Sequence, residues 1–434
     1  MSKFFRFSGW WWLCFTALVA SATPQISRGP YLQMAAPDSI VIRWRTDEDV
    51  DGLLRFGINV VAQTNKVAIE GKRLEHVIRI KNLLPATRYY YTLGYSTNRW
   101  LTPGTSDYSF VTPPVPGVRV PTRVWVLGDS GTGTDVQRGV MNTFYHEYAQ
   151  RPCDLWLMLG DNAYPDGTDK QFQKNLFNIY SWLLRQKPLW PTIGNHDSHS
   201  ADSETMTGVY FDIFNLPTRA ESGGVMSGTE AYYSYDYANI HFISLDSSDS
   251  DRGTNSYMAN WLKSDLAATR QDWIIAYFHH PPYTKGSHNS DRVKGGDTTC
   301  ADMREVFIPI LEQAGTDLVL CGHAHDYERS YLMADHYGNS TTLKPSMILN
   351  RGTGRPDVDG AYTKPAGRVP RSGTVYMVSG DGGQVSGGPL NHPVMWLSLN
   401  RPGSVIFDFD GLELKARCLG QAGQLYDYFS IVKH

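Results

Sequence analysis

The chain has 434 residues with 40 basic and 43 acidic side chains, and a formal net charge of −3 excludes a broad electrostatic surface for nucleic acid or anionic membrane. Hydrophobic residues make up 41% and charged residues 19%, which excludes a disordered chain and predicts two or three globular domains. Five cysteines are too few for a disulfide scaffold, whereas thirteen histidines require an explanation.

Residues 1–22 have the three parts of a secretory signal peptide. Lys3 and Arg6 precede the apolar run Gly9–Ala20, and Ala20-Ser21-Ala22 is a small-residue cleavage site. The run is short for a membrane span, which needs about 20 residues, so an uncleaved anchor is the less favoured alternative. We therefore expect a secreted or periplasmic protein with no stable membrane span after cleavage.

Residues 23–113 have the pattern of an all-β module. Alternating apolar and polar residues predict strands at Ser39–Arg45, Glu75–Ile80 and Tyr89–Tyr95. Leu83–Tyr89 matches L-x-P-x-T-x-Y, which resembles the tyrosine corner of fibronectin type III domains, with Trp44 as the core tryptophan. The proline-rich segment at residues 114–121 predicts a stiff linker to a second domain at 122–434.

Short apolar strands alternate with helical stretches in the second domain, which indicates an α/β structure. The predicted strands are Arg123–Leu127, Asp154–Leu159, Leu189–Ile193, Ile240–Leu245, Trp273–Phe278 and Leu318–Cys321. A helix is predicted at Asp302–Ala314, with Thr299 as its N-cap and Gly315 as its stop. Gly380–Gly383 is expected to be a structural turn.

Nearly every predicted strand of this domain ends at an Asp, Asn or His. The groups are Gly128-Asp129-Ser130-Gly131, Gly160-Asp161-Asn162-Ala163-Tyr164, Gly194-Asn195-His196-Asp197, His279-His280-Pro281-Pro282-Tyr283 and Gly322-His323-Ala324-His325. Sites in α/β sheets form beyond the carboxyl ends of the strands. Oxygen and imidazole ligands without thiolates suit Fe, Mn or Zn, and a shared carboxylate can bridge two such ions.

These five motifs resemble the calcineurin-like metallophosphoesterases, and Tyr164 in Gly-Asp-x-x-Tyr resembles the purple acid phosphatases of the plant two-domain type. The resemblance implies a four-layer α-β-β-α domain with a dinuclear centre. It implies that Asp129, Tyr164 and His325 bind Fe(III), that Asn195, His279 and His323 bind Zn, Mn or divalent Fe, and that Asp161 bridges the ions.

His279 and His280 are both able to reach a metal by sequence alone. The family pattern H-x-P-x-Y makes His279 the ligand and leaves His280 at a variable position, where contact with substrate stays open. The resemblance also implies that His196 and His288 bind phosphate with Asn195 and protonate the leaving group, although Asn289 replaces a second histidine common in plant-type enzymes.

The expected function is hydrolysis of small phosphate monoesters by a hydroxide that the metal centre supplies, favoured in mild acid. The catalytic residues would be His196, His288 and Asp161. Asp197 is expected to orient the His196 loop, and Tyr283, Glu328 and Arg329 are expected to be scaffold.

Two alternatives stay open. One is a phosphodiesterase or nucleotide phosphatase of the same superfamily, and the other is a secreted binding protein with an inactive metal site. The sequence leaves open the oligomeric state and any pairing among Cys153, Cys300, Cys321 and Cys418.

Overall fold

The computed structural model describes residues 1, 23–97, 99–292 and 298–434. The predicted signal peptide lies almost entirely outside these residues. Within them, no helix combines the length and the apolar character that crossing a bilayer requires. Cys153, Cys321 and Cys418 are buried thiols outside any disulfide.

The N-terminal module is β-rich. Its strands are β1 (Ile26–Ala36), β2 (Ser39–Gly57), β3 (Asn65–Ile80), β4 (Arg88–Ser96), β5 (Arg99–Trp100) and β6 (Ser109–Val111). The long strand β2 pairs antiparallel with β1, β3 and β4. It continues to Gly57, beyond the predicted end at Arg45. Trp44 is fully buried against His76, and the Tyr89 hydroxyl accepts a hydrogen bond from the Leu84 amide at 2.9 Å.

The strands that follow are β7 (Thr122–Leu127), β8 (Leu155–Met158), β9 (Leu189–Pro191), β10 (Ala201–Asp202), β11 (Thr207–Gly208), β12 (Tyr233–Tyr237), β13 (Ile240–Ser244), β14 (Trp273–Phe278), β15 (Leu318–Cys321), β16 (Tyr327–Ser330), β17 (Leu332–Met333), β18 (Ile348–Asn350), β19 (Tyr362–Lys364), β20 (Val375–Ser379), β21 (Met395–Leu399), β22 (Gly403–Asp410), β23 (Glu413–Gly420) and β24 (Leu425–Lys433). The helices are α1 (Asp135–Gln150), α2 (Asp169–Phe172), α3 (Ser181–Leu184), α4 (Val209–Ile213), α5 (Tyr257–Ala268), α6 (Thr299–Asp302) and α7 (Ile308–Gln313).

Two seven-stranded sheets form the centre of this second region. One has the order β19-β24-β23-β22-β7-β8-β9 and the other β12-β13-β14-β15-β20-β16-β21. Helix α1 covers the first sheet, where Phe144 stacks on Trp125 with ring centroids 3.9 Å apart. Helices α5 and α7 cover the second sheet through Asp265 and Glu312, which bond to His241 and Tyr376. The layers therefore follow the order helix, sheet, sheet, helix.

Parallel strands lie at one end of the first sheet and in the middle of the second. Strands β7, β8 and β9 run parallel in the first sheet, and β13, β14, β15 and β20 run parallel in the second. The two carboxyl edges meet where the Gly128 amide, just after β7, donates to the carbonyl of Ser379 at the end of β20 at 2.9 Å. The loops that leave both sheets are thereby brought to one place.

The helix predicted at Asp302–Ala314 is longer and less regular than expected. Helix begins at Thr299, so this residue lies inside the first turn and is not the N-cap. A π-helical segment, Met303–Phe307, joins α6 to α7 and keeps Met303 and Phe307 facing the core. Gly315 ends the helix at φ +82°, a conformation that glycine adopts without a steric penalty.

Charged side chains anchor the N-terminal module to the second region. The Arg28 guanidinium is fully buried and pairs with Asp169 at 2.8 Å, and Arg45 pairs with the same carboxylate at 2.8 Å. Asp169 is the first residue of α2, where a negative charge also interacts favourably with the helix dipole. The Tyr31 hydroxyl adds a hydrogen bond to the carbonyl of Ile213 at 2.8 Å.

A buried histidine joins β13 to α5. His241 contacts Asp236 through Nδ1 at 2.8 Å and Asp265 through Nε2 at 2.7 Å. Burial lowers the pKa of His241, but the hydrogen bonds to the two carboxylates outweigh burial and raise the pKa to about 9. The histidine therefore stabilises the fold as a cation.

We expect the urea midpoint of unfolding to fall as the pH rises from 6 to 10. The unfolded pKa is about 6.5, so this stabilisation is complete below that value and is lost as the pH passes the folded pKa. His241→Gln should be less stable at pH 6 and should depend less on pH over this range. His146→Gln, at an exposed position on α1, is the control. An equal pH dependence in wild type and His241→Gln would contradict the charged assignment.

Candidate metal centre

Five loops converge at the shared carboxyl edge of the sheets. They follow β7, β8, β9, β14 and β15, and they carry the five motifs identified in the sequence. Asp129, Asp161 and His323 adopt positive φ angles of 53°, 52° and 66°. Such a backbone costs about 1–3 kcal/mol per residue outside glycine and is concentrated at functional sites. The loops are therefore held in a shape that orients these side chains.

The glycines of the motifs allow the loops to touch. A Cβ at Gly194 would lie 2.1 Å from the backbone nitrogen of Asp161, and one at Gly322 would lie 2.3 Å from Oδ2 of Asp129. Any side chain at these positions would push the loops apart. The glycines thus determine how closely the polar groups approach one another.

One group of donor atoms consists of Asp129, Tyr164 and His325. The Tyr164 hydroxyl lies 3.0 Å from Oδ1 of Asp129 and 3.1 Å from Nε2 of His325. The same His325 nitrogen lies 3.4 Å from Oδ1 of Asp129. We call these three residues the tyrosine triad.

A second group consists of Asn195, His279 and His323, which we call the amide triad. Oδ1 of Asn195 lies 3.0 Å from Nε2 of His279 and 3.0 Å from Nδ1 of His323. Nδ1 of His279 lies 2.8 Å from the carbonyl oxygen of Leu159. A proton on Nδ1 donates to that carbonyl and leaves the Nε2 lone pair directed into the site.

Asp161 lies between the two triads. Its Oδ1 is 3.4 Å from Nε2 of His279, and ligand atoms of Asp129, Asp161 and His279 all lie within 4.8 Å of one another. All three side chains are buried. The structure therefore brings together all seven residues predicted to bind metal.

The spacing of these donor atoms fits two metal ions. Ligand atoms about 2.1 Å from one ion lie roughly 3.0–3.4 Å apart at tetrahedral or octahedral angles. Five distances within the triads and the distance from His279 to Asp161 fall between 3.0 and 3.4 Å. The donor set itself, with carboxylate, phenol, amide and imidazole but no thiol, suits first-row transition metals.

The buried carboxylates give the site an excess of negative charge. Burial lowers the pKa of His279, but the charges of Asp161 and Asp129 outweigh it and raise the pKa to about 10. Burial and the same two carboxylates raise the pKa of Tyr164 well above its usual value, so the phenolate would need a nearby cation. Burial raises the pKa of Asp161, yet His279 and His196 outweigh it and hold the pKa below the usual range.

The two histidines predicted to bind phosphate flank the site on different sides. His196 lies by the tyrosine triad, with its ring 4.5 Å from that of Tyr164 and its Nε2 4.0 Å from Oδ2 of Asp161. Nδ1 of His196 lies 2.6 Å from the carbonyl of Pro165. His288 lies by the amide triad, with its ring 3.8 Å from that of His323.

Asp197 connects two of the loops. Its carboxylate accepts hydrogen bonds from the backbone amides of Asn162, Ala163 and Gly194 and from the Asn162 side chain, at 2.8–3.2 Å. Burial and the charge of Asp161 raise the pKa of Asp197 to about 7. Asp197 thus holds the loop of Asp161 and Tyr164 against the loop of Asn195.

Sequence reasoning missed two serines that orient histidines of the site. Ser386 lies 2.9 Å from Nδ1 of His325, in the segment after the Gly380–Gly383 turn, which was expected to be structural only. Ser247 lies 2.9 Å from Nδ1 of His280 and accepts the His280 amide at 2.9 Å. Both serines are far from their partners in sequence and belong to no motif.

The expected scaffold residues are buried. Arg329 forms a buried ion pair with Asp427, at 2.5 and 3.0 Å. The Tyr283 hydroxyl bonds to the carbonyl of His336, and Glu328 accepts from Ser398 at 3.1 Å. These contacts hold the loops after β14 and β15 in place.

Comparisons with known proteins agree with this geometry. Residues 122–327 match the family model of calcineurin-like phosphoesterases. Purple acid phosphatase 21 of Arabidopsis thaliana is 27% identical over 316 residues, which cover 69% of this chain and 65% of the relative. A purple acid phosphatase of Glycine max is 29% identical over 327 residues, which cover 72% of this chain and 60% of the relative. The chain therefore spans less than two thirds of the length of these two relatives.

Solved structures share the fold. The purple acid phosphatase from yellow lupin seeds superposes with a TM-score of 0.67 at 19% identity, covering 95% of this chain and 74% of the lupin chain. PhoD superposes with a TM-score of 0.63 at 13% identity, covering 94% of this chain and 90% of its own. Residues 122–327 form a calcineurin-like phosphoesterase domain, and the chain is a relative of the purple acid phosphatases within that superfamily.

Proposed function

We propose that this protein is an exported acid phosphatase that hydrolyses small phosphate monoesters at a dinuclear metal centre. The observation that carries the proposal is the pair of donor triads, each with buried members, and the buried Asp161 between them. The buried carboxylates of Asp129 and Asp161 lie so close together that they require positive charge nearby. Metal ions provide that charge without protonation of either carboxylate. The curated relatives named purple acid phosphatases support the same reaction class.

In this proposal the tyrosine triad holds Fe(III), because a phenolate is a hard anionic ligand that suits a trivalent ion. The amide triad offers neutral oxygen and nitrogen atoms and holds a divalent ion, Zn, Mn or Fe. Asp161 bridges the ions. When bound, the two ions supply Lewis acidity to the phosphoryl oxygens and activate the attacking water.

Three side chains act on the phosphate, namely Asn195 of the amide triad and two histidines outside the triads. Asn195, His196 and His288 bind its oxygens, and the two imidazoles lie on different sides of the site, so they neutralise charge at separate points. The Pro165 carbonyl orients the His196 ring through Nδ1, so its Nε2 faces the site and donates a proton to the leaving oxygen. Because the imidazole must carry a proton to act as this donor, we expect higher activity in mild acid.

The N-terminal module in this proposal is a fibronectin type III-like support. The hydrogen bond from the Leu84 amide to the Tyr89 hydroxyl has the partners expected of a tyrosine corner. The module contacts the first residue of α2 through Arg28 and Arg45, which both pair with Asp169. Asp169 belongs to the same stretch of chain as Tyr164, so the module braces the tyrosine triad from outside.

We expect the metal-loaded protein to hydrolyse p-nitrophenyl phosphate at least about tenfold faster than its bis ester, a preference of ~1.4 kcal/mol in the transition state. Rates would be measured in mild acid, with a chelator abolishing them. Asn195→Ala should lose more activity than the roughly 10–100-fold typical of outer-shell changes, while Asn178→Ala, at an exposed position, should lose none.

The outcome also separates the alternatives. Faster hydrolysis of the bis ester would assign a phosphodiesterase. A protein that binds two ions and hydrolyses neither ester would be a binding protein and would contradict the proposal.

Asp197→Asn should weaken metal binding and lower kcat by about 10–100-fold without unfolding the protein. The amide presents a donor where Asp197 accepts four hydrogen bonds, so the two ligand loops separate. Metal affinity, kcat and thermal unfolding would be measured together. Asp166→Asn removes an exposed carboxylate from the neighbouring loop and should change none of them. Full metal affinity in Asp197→Asn would show that the loops keep their geometry without this carboxylate.

A further inference from the structure

The pair His279-His280 places two imidazoles in succession at the end of β14, and only the first belongs to the amide triad. His280 is 5% exposed, and its ring lies 4.2 Å from that of His323 and 5.0 Å from that of His279. The planes cross at 47° and 85°, so the three rings are not stacked. Three imidazoles are therefore packed close together beside the amide triad.

Ring nitrogens of the three histidines lie within metal-binding reach of one another. One ligand atom each from His279, His280 and His323 falls within 4.8 Å of the others, and all three residues are buried. Opposite ligands of a six-coordinate ion are about 4.2 Å apart when each bond is ~2.1 Å, so this limit admits one shared ion after small ring rotations.

Ser247 orients the His280 ring. Its hydroxyl lies 2.9 Å from Nδ1 of His280 and accepts the His280 backbone amide at 2.9 Å. When Nδ1 carries the proton and donates to this hydroxyl, the Nε2 lone pair is available to an ion. A hydroxyl or carbonyl on the far nitrogen is the usual partner of a metal-binding histidine, and the Leu159 carbonyl has this role for His279.

We propose that His280 is a further ligand of the divalent ion of the amide triad, oriented by Ser247. The inference rests on the proposed function, because it adds a ligand to the ion assigned there. Asn195, His279, His280, His323 and the bridging Asp161 then give that ion five protein ligands. A six-coordinate ion keeps one position for a substrate oxygen or water. His288 remains outside this set, since the group of ring nitrogens within 4.8 Å of one another is formed by His279, His280 and His323.

The test is a titration with Co²⁺ of protein depleted of its divalent ion, followed by the visible d–d absorption band. His280→Ala should weaken Co²⁺ binding by more than the roughly 10–100-fold typical of outer-shell changes and should shift the band, while the content of the first ion stays at the wild-type level. In Ser247→Ala the imidazole remains but loses the hydroxyl that orients it. Its Co²⁺ affinity should therefore fall by less than in His280→Ala. The matched control is Ser248→Ala, since Ser248 bonds to the carbonyl of Ile193 and not to His280.

Unchanged Co²⁺ affinity and an unchanged band in His280→Ala would overturn the proposal, even if KM rose, because His280 would then serve the phosphate and not the ion. In that case the wild type still binds two ions, and the proposed function stands. A wild type that binds only one ion would contradict both. The first-ion content of each variant reports whether the site is folded.

Discussion

The burial of two carboxylates side by side is the constraint on which the rest of this structure depends. Asp129 and Asp161 are almost fully withdrawn from water, and the nearby histidines and tyrosine carry pKa values shifted by their charge. Such a cluster is costly unless cations neutralise it. The motif glycines, the left-handed residues and the Asp197 hydrogen bonds all keep these carboxylates together. They maintain a site that bound cations would stabilise.

The fold provides this constraint through the meeting of two sheets at one edge. Loops from β7, β8 and β9 come from one sheet, and loops from β14 and β15 come from the other. Each triad takes ligands from both sheets, since Asp129 and Tyr164 meet His325, and Asn195 meets His279 and His323. Bound metal ions would therefore link the two sheets as well as form the reactive centre.

The sequence predicted this centre because its motifs are short and each follows an apolar strand. Strands Trp273–Phe278 and Leu318–Cys321 have the predicted bounds. Their histidines meet Asn195 because parallel strands deliver their ends to one edge. The hydrogen bonds of Ser386 and Ser247 to histidines of the site were not predictable. No sequence pattern links a loop serine to a hydrogen-bond partner about 30 to 60 residues away. Thr299 was misassigned because the helical turn α6 precedes the predicted start of the helix and is joined to α7 by a π-helical segment, which the apolar periodicity of a regular helix does not reveal.

The most direct test of two ions held by two triads is metal analysis combined with a visible spectrum of wild type and Tyr164→Phe. We expect two ions per chain, one of them iron, and a phenolate-to-iron band that disappears in Tyr164→Phe but persists in Tyr145→Phe, a change at an exposed tyrosine of α1. A colourless wild type without iron, or a band that survives the loss of the Tyr164 hydroxyl, would contradict this expectation.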